Sequence, residues 1–450
     1  MLENFTVIYR INKTKKMEIP TYIINLKHRI DRYESITSEF NNKNEFDITV
    51  FTAVENKIGS IGLWQSLHHI INIAKQNKLK YILICEDDHL FTKEYNVGKL
   101  NMQIQFVAKK KGDILLGGVS WFDYSVRIND GLHWLNEFTG TQFLIVFDNF
   151  YDKILNYNFQ GGIETIDSMF SKLSDNIFVT FPIISVQQDT GYSDVTKKND
   201  STGVVQDLFN KVQLRIKAID KVHKHILSLN YLYDKNNFNE IQIPTYVINI
   251  NERNDRLKHI KSQFLDKSEF YVEYLIVQKE EKSTMGLWNN IKKIVAMAIE
   301  RDEDVIIICE DDHIFSENYK KEILFDAIFQ GAELGADIIL GGISNTGQSI
   351  VVSPELCWIE SFQCTQFTIL FRSVFEQILI EPFDEMDAAD LTLSKLSANK
   401  YVIHPFISRQ KDFGYSDIPI QGFSTQLYDR MFERCERKIS KTRSVIKLYS

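Results

Sequence analysis

Tyr81-Ile82-Leu83-Ile84-Cys85-Glu86-Asp87-Asp88-His89 decides how this chain is read, and it recurs as Val305-Ile306-Ile307-Ile308-Cys309-Glu310-Asp311-Asp312-His313. In each copy an apolar, largely β-branched run ends in three consecutive carboxylates and a histidine. The apolar run predicts a strand buried on both faces of a parallel sheet. Three acids at its carboxyl end are costly to bury unless something cationic neutralises them. That edge of an open α/β sheet is also where ligands bind. Clustered oxygen ligands suit a hard divalent cation, Mg²⁺ or Mn²⁺, which in turn can hold the phosphates of a nucleotide. The alternative is a solvated acidic loop after a strand. Recurrence in matching surroundings favours the site. His89 and His313 are expected to be structural.

The surroundings do match. Ile19-Pro20-Thr21-Tyr22 returns as Ile243-Pro244-Thr245-Tyr246, an offset of 224 (Pro20 to Pro244). Gly62-Leu63-Trp64, Gly117-Gly118 and Thr141-Gln142-Phe143 return at the same offset. Ser171-Lys172-Leu173-Ser174 and Gly191-Tyr192-Ser193-Asp194 return at 223 (Ser171 to Ser394). A unit this long is a duplicated domain, not a solenoid repeat. Each copy alternates strands with helices, which predicts a mostly parallel α/β sheet. Helices are expected over about 63–75 and 287–299, and over 168–173 and 391–396. Each copy closes with a further helix. The expected domains are 1–228 and 229–450, with the stretch 230–240 as the boundary.

Composition narrows the class. With 52 basic against 60 acidic residues the net charge is −8, so nothing draws the chain toward nucleic acid. No basic segment followed by an apolar core opens the sequence, so a secretory signal is not expected. No apolar run is long enough to cross a bilayer. Five cysteines form neither a disulfide framework nor a zinc spacing, and a reducing cytoplasm is the expected compartment. The last helix carries Arg430, Arg434, Arg437, Lys438, Lys441, Arg443 and Lys447. That face offers a peripheral contact with an anionic membrane. It also reads as a solvated face, since Glu433 and Glu436 interrupt it.

After the first strand stand Asn25-Leu26-Lys27-His28-Arg29-Ile30-Asp31-Arg32 and Asn249-Ile250-Asn251-Glu252-Arg253-Asn254-Asp255-Arg256. The shared frame is Asn, three residues, Arg, one residue, Asp-Arg. Arginines here can grip phosphate bidentately, beside a helix amino terminus that favours an anion. Alone, the frame also reads as a helix start with surface charge.

Taken together, the opening Asn-x-x-x-Arg-x-Asp-Arg, the glycine-containing helix opening and the strand ending in Glu-Asp-Asp resemble glycosyltransferase family 25. That family includes lipopolysaccharide-type and procollagen galactosyltransferases, and the procollagen enzymes similarly carry two GT-A domains in tandem. The resemblance covers most of both copies. It departs at the helix opening, where the family commonly has Gly-Cys and then Ser-His. Here Gly62-Leu63-Trp64-Gln65-Ser66 and Gly286-Leu287-Trp288-Asn289-Asn290 stand.

The resemblance implies two GT-A-like, Rossmann-like nucleotide-binding domains and an inverting, metal-dependent transfer. The donor would be a nucleotide sugar, UDP-linked, with UDP-galactose as one candidate. The acceptor would be a glycan, lipid-linked glycan or glycoprotein. Asp88 and Asp312 would ligate the metal, with Glu86 and Glu310 toward it and the donor. Asn25, Arg29, Asp31, Arg32 and Asp87 would bind the nucleotide, as would Asn249, Arg253, Asp255, Arg256 and Asp311.

An inverting transfer needs a carboxylate to take the acceptor proton. Asp167 and Asp390, paired through the Ser-Lys-Leu-Ser block, are the candidates. An ordinary helix cap is the competing reading. Asp189, Ser193, Asp412 and Ser416 sit in a repeated loop that could close on the diphosphate or simply form a turn. Both copies keep triplet and arginines, so both are expected to be active. The alternatives are one catalytic domain beside a nucleotide- or carbohydrate-binding module, and a nucleotidyltransferase.

Overall fold

The computed structural model describes residues 18–162, 164–188, 203–228, 241–280, 283–414 and 426–449. The chain divides into two compact units, Met1–Ile219 and Asp220–Ser450. The division falls within the closing helix of the first copy, nine residues before the expected boundary (219 against 228). The stretch 230–240 lies outside the described residues.

Unit 1 opens with β1 (Ile19–Asn25), α1 (Ile30–Glu39), β2 (Phe46–Thr52), α2 (Gly59–Gln76) and β3 (Tyr81–Glu86). Next come β4 (His89–Phe91), α3 (Val97–Lys109) and β5 (Ile114–Leu116). An antiparallel stretch follows: β6 (Trp121–Phe122), β7 (Ser125–Asn129), β8 (Leu132–Leu135) and β9 (Phe138–Thr139). The unit ends with β10 (Phe143–Phe147), α4 (Asp148–Leu155), α5 (Ile166–Leu173), β11 (Ile177–Thr180), β12 (Ser185–Gln187) and α6 (Val204–Ser228).

Unit 2 repeats this as β13 (Ile243–Ile250), α7 (Asn254–Gln263), β14 (Phe270–Val277), α8 (Ser283–Glu300) and β15 (Val305–Glu310). Then come β16 (His313–Phe315), α9 (Lys321–Glu333), β17 (Ile338–Leu340), β18 (Ser349–Val351), β19 (Leu356–Ile359) and β20 (Phe367–Phe371). It closes with α10 (Phe375–Ile380), α11 (Ala389–Leu396), β21 (Lys400–Ile403), β22 (Ser408–Gln410) and α12 (Gln426–Tyr449).

Each unit builds an eight-stranded sheet, ordered β2-β1-β3-β10-β5-β11-β8-β7 and β14-β13-β15-β20-β17-β21-β19-β18. The sheets are mixed. β1, β2 and β3 are parallel, but β10 runs antiparallel to both β3 and β5. β11 is parallel to β5, and β8 and β7 add an antiparallel edge. The expectation of a mostly parallel sheet is thus corrected at β10 and at that edge. An apolar run buried on both faces fixes burial, not direction.

Unit 2 shows why the triplet strand reads as unbroken hydrophobicity. Ile306 and Ile308 pack with Trp288, Ile291, Val295 and Phe375 on one face. Ile307 and Cys309 pack with Ile260, Leu324 and Phe325 on the other. Alternating residues feed two helix layers, so both sets must be apolar.

Gly117-Gly118 and Gly341-Gly342 serve close approach rather than a left-handed turn. A Cβ on Gly118 would lie 2.1 Å from the Ser185 carbonyl oxygen, and one on Gly342 2.1 Å from that of Ser408. This clearance lets Ile184 and Ser185 donate to the Gly117 carbonyl at 2.7 and 3.1 Å. It seats β12, which pairs with β4 just beyond the triplet.

α12 lies against unit 2 through Phe432, Cys435 and Ile439, all buried. Arg443 donates to the Ser353 carbonyl at 2.9 Å and to His404 Nδ1 at 3.0 Å. Lys438 donates to the Thr346 carbonyl at 3.2 Å. Two of the cations on this helix, Arg443 and Lys438, therefore hold it to its own unit. Among the described residues no helix is long and apolar enough to cross a membrane.

Candidate functional site

β1 and β3 end side by side, with Ile24 paired to Glu86. Just beyond, Asn25 donates to Asp87 Oδ2 at 3.1 Å and Arg32 Nη1 to Asp87 Oδ1 at 2.9 Å. Arg29 Nη1 stands 3.9 Å from Asp87 Oδ2. Unit 2 repeats the arrangement: Asn249 and Arg256 each donate to Asp311 at 2.9 Å, and Arg253 lies 4.0 Å away. The middle acid of the triplet and the Asn-x-x-x-Arg-x-Asp-Arg frame therefore form one buried clamp. Its charges are paired, as burial demands. The arginines expected at phosphate are engaged by Asp87 and Asp311, and they also line the clefts. Asp31 and Asp255 stand apart from this clamp. Both are exposed acids in the first turns of α1 and α7, where the helix dipole favours them, and they line neither cleft.

The outer acids face the clefts. Glu86 accepts from Thr141 Oγ1 at 2.6 Å, and Glu310 from Thr365 Oγ1 at 2.7 Å. Asp312 Oδ2 accepts from Gln410 at 2.8 Å and from Arg256 at 3.3 Å. Oδ1 of Asp88 and Oδ1 of Asp312 are buried and have no hydrogen-bond partner. Burial, then the neighbouring Asp88, pushes Glu86 up to about 8. Burial and Asp87 push Asp88 up to about 6, against the pull of Arg32. Glu310 and Asp312 are raised to about 8 and about 6, in each case chiefly by burial. Crowded, poorly solvated carboxylates of this kind cluster at functional sites.

His89 and His313 are core histidines. Their Nδ1 atoms pair with Ser185 and Ser408 at 2.8 Å, and burial lowers both rings to about 3.

Asp167 and Asp390 reach the same region, since each adds charge that raises Glu86 or Glu310. Neither is a cap. The N-cap positions are Thr165, within a capping box, and Ala388. Both acids sit in the first helical turn rather than ahead of it. Asp167 accepts from Ser168 N at 2.9 Å and Gly140 N at 3.3 Å. Asp390 accepts from Leu391 N at 2.8 Å and Cys364 N at 3.0 Å. Each carboxylate is thus fixed by backbone donors, and a carboxylate oxygen retains a second acceptor direction for a substrate hydroxyl.

Asp412 forms a turn, accepting from Gly414 N at 2.6 Å, and is exposed. Asp189, Ser193 and Ser416 lie outside the described residues.

The unit 2 cleft encloses about 520 Å³ and brings Arg253, Arg256, Glu310, Asp312 and Asp390 together. The unit 1 cleft, about 410 Å³, gathers Arg29, Arg32, Glu86, Asp88 and Glu55. Thr141 and Thr365 were not among the residues expected at the site. Their signal was their repetition at 224, legible only as part of a strand. Ser344 and Gln410 also line the unit 2 cleft and repeat Ser120 and Gln187 at 224 and 223, whereas Cys364, opposite Gly140 in the first copy, and Tyr428 carried no such signal.

Among the described residues no three His, Cys, Asp or Glu side chains are grouped to hold a metal by themselves. In each unit one carboxylate with an unpartnered buried oxygen, Asp88 or Asp312, beside a second acid, does fit a hard cation whose other ligands come from water and substrate phosphate, the usual arrangement for Mg²⁺.

No family model matches the chain, and no curated protein does. Among solved structures it is similar to A197 from STIV at 14% identity and a TM-score of 0.28. That match covers 38% of this chain and 85% of the other. It is also similar to apo UDP-glucose pyrophosphorylase at 12% identity and a TM-score of 0.27, over 44% of this chain and 82% of the other. Likenesses at this level carry no argument about function.

Proposed function

We propose that the chain is a glycosyltransferase of GT-A type, similar to family 25, with one nucleotide-sugar site in each unit. The observation that carries this is the unpartnered, buried Oδ1 of Asp88 and of Asp312. Each stands beside a second crowded acid at the carboxyl edge of parallel strands. Such an oxygen is costly unless a cation meets it. Asp88 with Glu86, and Asp312 with Glu310, would hold Mn²⁺ or Mg²⁺ together with the donor diphosphate. The cation's chemistry is Lewis-acid neutralisation of charge on the departing diphosphate.

The chain's own residues do the rest. The Asp87 and Asp311 clamps hold the strand ends rigid. Arg29 and Arg253, which line the clefts, would face the phosphates. Asp167 and Asp390, pinned by backbone donors, receive the acceptor proton as the new glycosidic bond forms and the bond to the diphosphate breaks. The acceptor is a glycan, lipid-linked glycan or glycoprotein.

A second reading makes unit 2 the catalyst and unit 1 a binding module. Among the described residues only the unit 2 cleft is lined by its candidate base.

The test is a screen of nucleotide sugars with Mn²⁺, comparing the wild type with the Asp88→Asn, Asp312→Asn double variant. Turnover should vanish while the circular dichroism spectrum stays native. Undiminished turnover in the folded variant removes the acids from the mechanism.

A further inference from the structure

Gly140 and Cys364 occupy equivalent places, 224 residues apart (140 to 364), just before β10 and β20. Both have a left-handed backbone, with φ of +111° and +82°. Both use that conformation to aim an N–H at the candidate base, Asp167 or Asp390. Glycine adopts it freely; a side chain there is strained. The other described non-glycine residues with positive φ are Asn42, Lys78, Lys111, Asp266 and Asp302. All five are exposed, and each lies within three residues after a helix, where this conformation is routine. Cys364 alone among them is in a cleft.

Its side chain is held in place. The thiol donates to Ser344 Oγ at 2.9 Å, and Sγ lies 3.9 Å from Gln410 Oε1. Gln410 in turn donates to Asp312 Oδ2 at 2.8 Å. Burial keeps the thiol protonated, pushing it up to about 12, so a nucleophilic role does not fit. What remains is shape. An independent observation marks this end of the cleft for a ligand: Asp312, only 6% exposed, lines the same cavity with its Oδ1 unpartnered.

We infer that Cys364 is a specificity-determining residue of unit 2. Its CH₂–SH fills space beside Asp390 and Asp312 in the unit 2 cleft and so limits the bulk of the transferred sugar that this cleft accepts. The inference rests on reading the cleft as a nucleotide-sugar site. Persistence of a strained residue where glycine suffices is what a shape requirement explains.

The experiment uses the full chain carrying Asp88→Asn, so that unit 2 alone binds. Calorimetry with Mn²⁺ compares UDP, UDP-glucose and the bulkier UDP-N-acetylglucosamine. Cys364→Gly should raise affinity for UDP-N-acetylglucosamine relative to UDP-glucose by about tenfold or more, the scale of a changed pocket contact. Cys364→Ser, nearly isosteric, should keep the original ratio. Cys364→Gly relieves strain, so its melting temperature should not fall. An unchanged ratio in folded Cys364→Gly overturns the inference while UDP binding preserves the nucleotide-sugar reading. Failure of the Asp88→Asn chain to bind UDP at all overturns that reading for unit 2, and the inference with it.

Discussion

Glu86 and Glu310 make the stability of the metal-free protein depend on pH. Glu86 rises from its ordinary 4.5 to about 8 on folding, chiefly through burial. The folded state therefore keeps a proton that the unfolded chain releases. Stability from this group is fully present below about pH 4.5 and is lost as pH climbs toward about 8, because the unfolded state then binds fewer protons. Asp88 and Asp312 act likewise between 3.8 and about 6. Melting curves in chelator should fall across this window. The Glu86→Gln, Glu310→Gln variant should fall less above about pH 6. Parallel wild-type and variant curves would remove Glu86 and Glu310 as the cause. Added Mn²⁺ should stabilise most at the alkaline end, since metal competes with protons for these oxygens.

At this scale the sequence was legible where chemistry is local. Three adjacent acids announce themselves. That Asp87 would turn inward was not legible, because its partner Arg32 stands 55 residues away (32 to 87). An arginine after a strand reads equally as a phosphate ligand or as a carboxylate's counterion.

The clamp is what ties the start of α1 to the ends of β1 and β3, and it separates two kinds of arginine. Arg32 and Arg256 are buried against Asp87 and Asp311 at 2.9 Å. Truncating either should cost about 3–5 kcal/mol, since a buried carboxylate loses its principal counterion. All four line the clefts, but Arg29 and Arg253 stand farther from the carboxylate, at 3.9 and 4.0 Å. Their alanine variants should keep most stability and lose affinity for UDP with Mn²⁺. Denaturant titration and calorimetry on the four single variants measure both quantities. Equal stability losses in all four would erase the distinction.

Element existence was well indicated, because Ile306, Ile307 and Ile308 must satisfy two helix layers at once. Direction was not. Phe143–Phe147 is buried throughout, and nothing in such a run says that it pairs antiparallel to β3. The β7–β8 hairpin was hidden in a segment without a strong turn signal other than Asn129-Asp130-Gly131.

For the whole molecule, the duplication gives the sharpest expectation. Both units keep clamp, outer acids and pinned carboxylate, so each should carry its own transfer. Asp167→Asn and Asp390→Asn should each slow one step by about 10²–10⁴-fold and leave donor binding intact. Mass spectrometry of products from donor and acceptor mixtures distinguishes the outcomes. Two different stalled steps support two catalysts. A silent Asp167→Asn supports unit 1 as a binding module. Wild-type rates in both place the base elsewhere. The repeat itself was plain from an offset that drifts by a single residue, from 224 to 223. The division inside α6 was not, because the helix runs unbroken through Ile219 and Asp220.

The contacts that build each cleft join residues far apart in the chain. Asp87 meets Asn25 across 62 positions, Glu86 meets Thr141 across 55, and His89 meets Ser185 across 96. Pairings this distant close large loops before they are rewarded, so they form slowly and late. During synthesis this set of contacts is complete only once β12 has emerged, and all of the residues named in it belong to the first unit. A ribosome halted after the first unit would therefore already carry a complete set of these contacts, whereas one halted a few dozen residues earlier would carry none that includes Ser185.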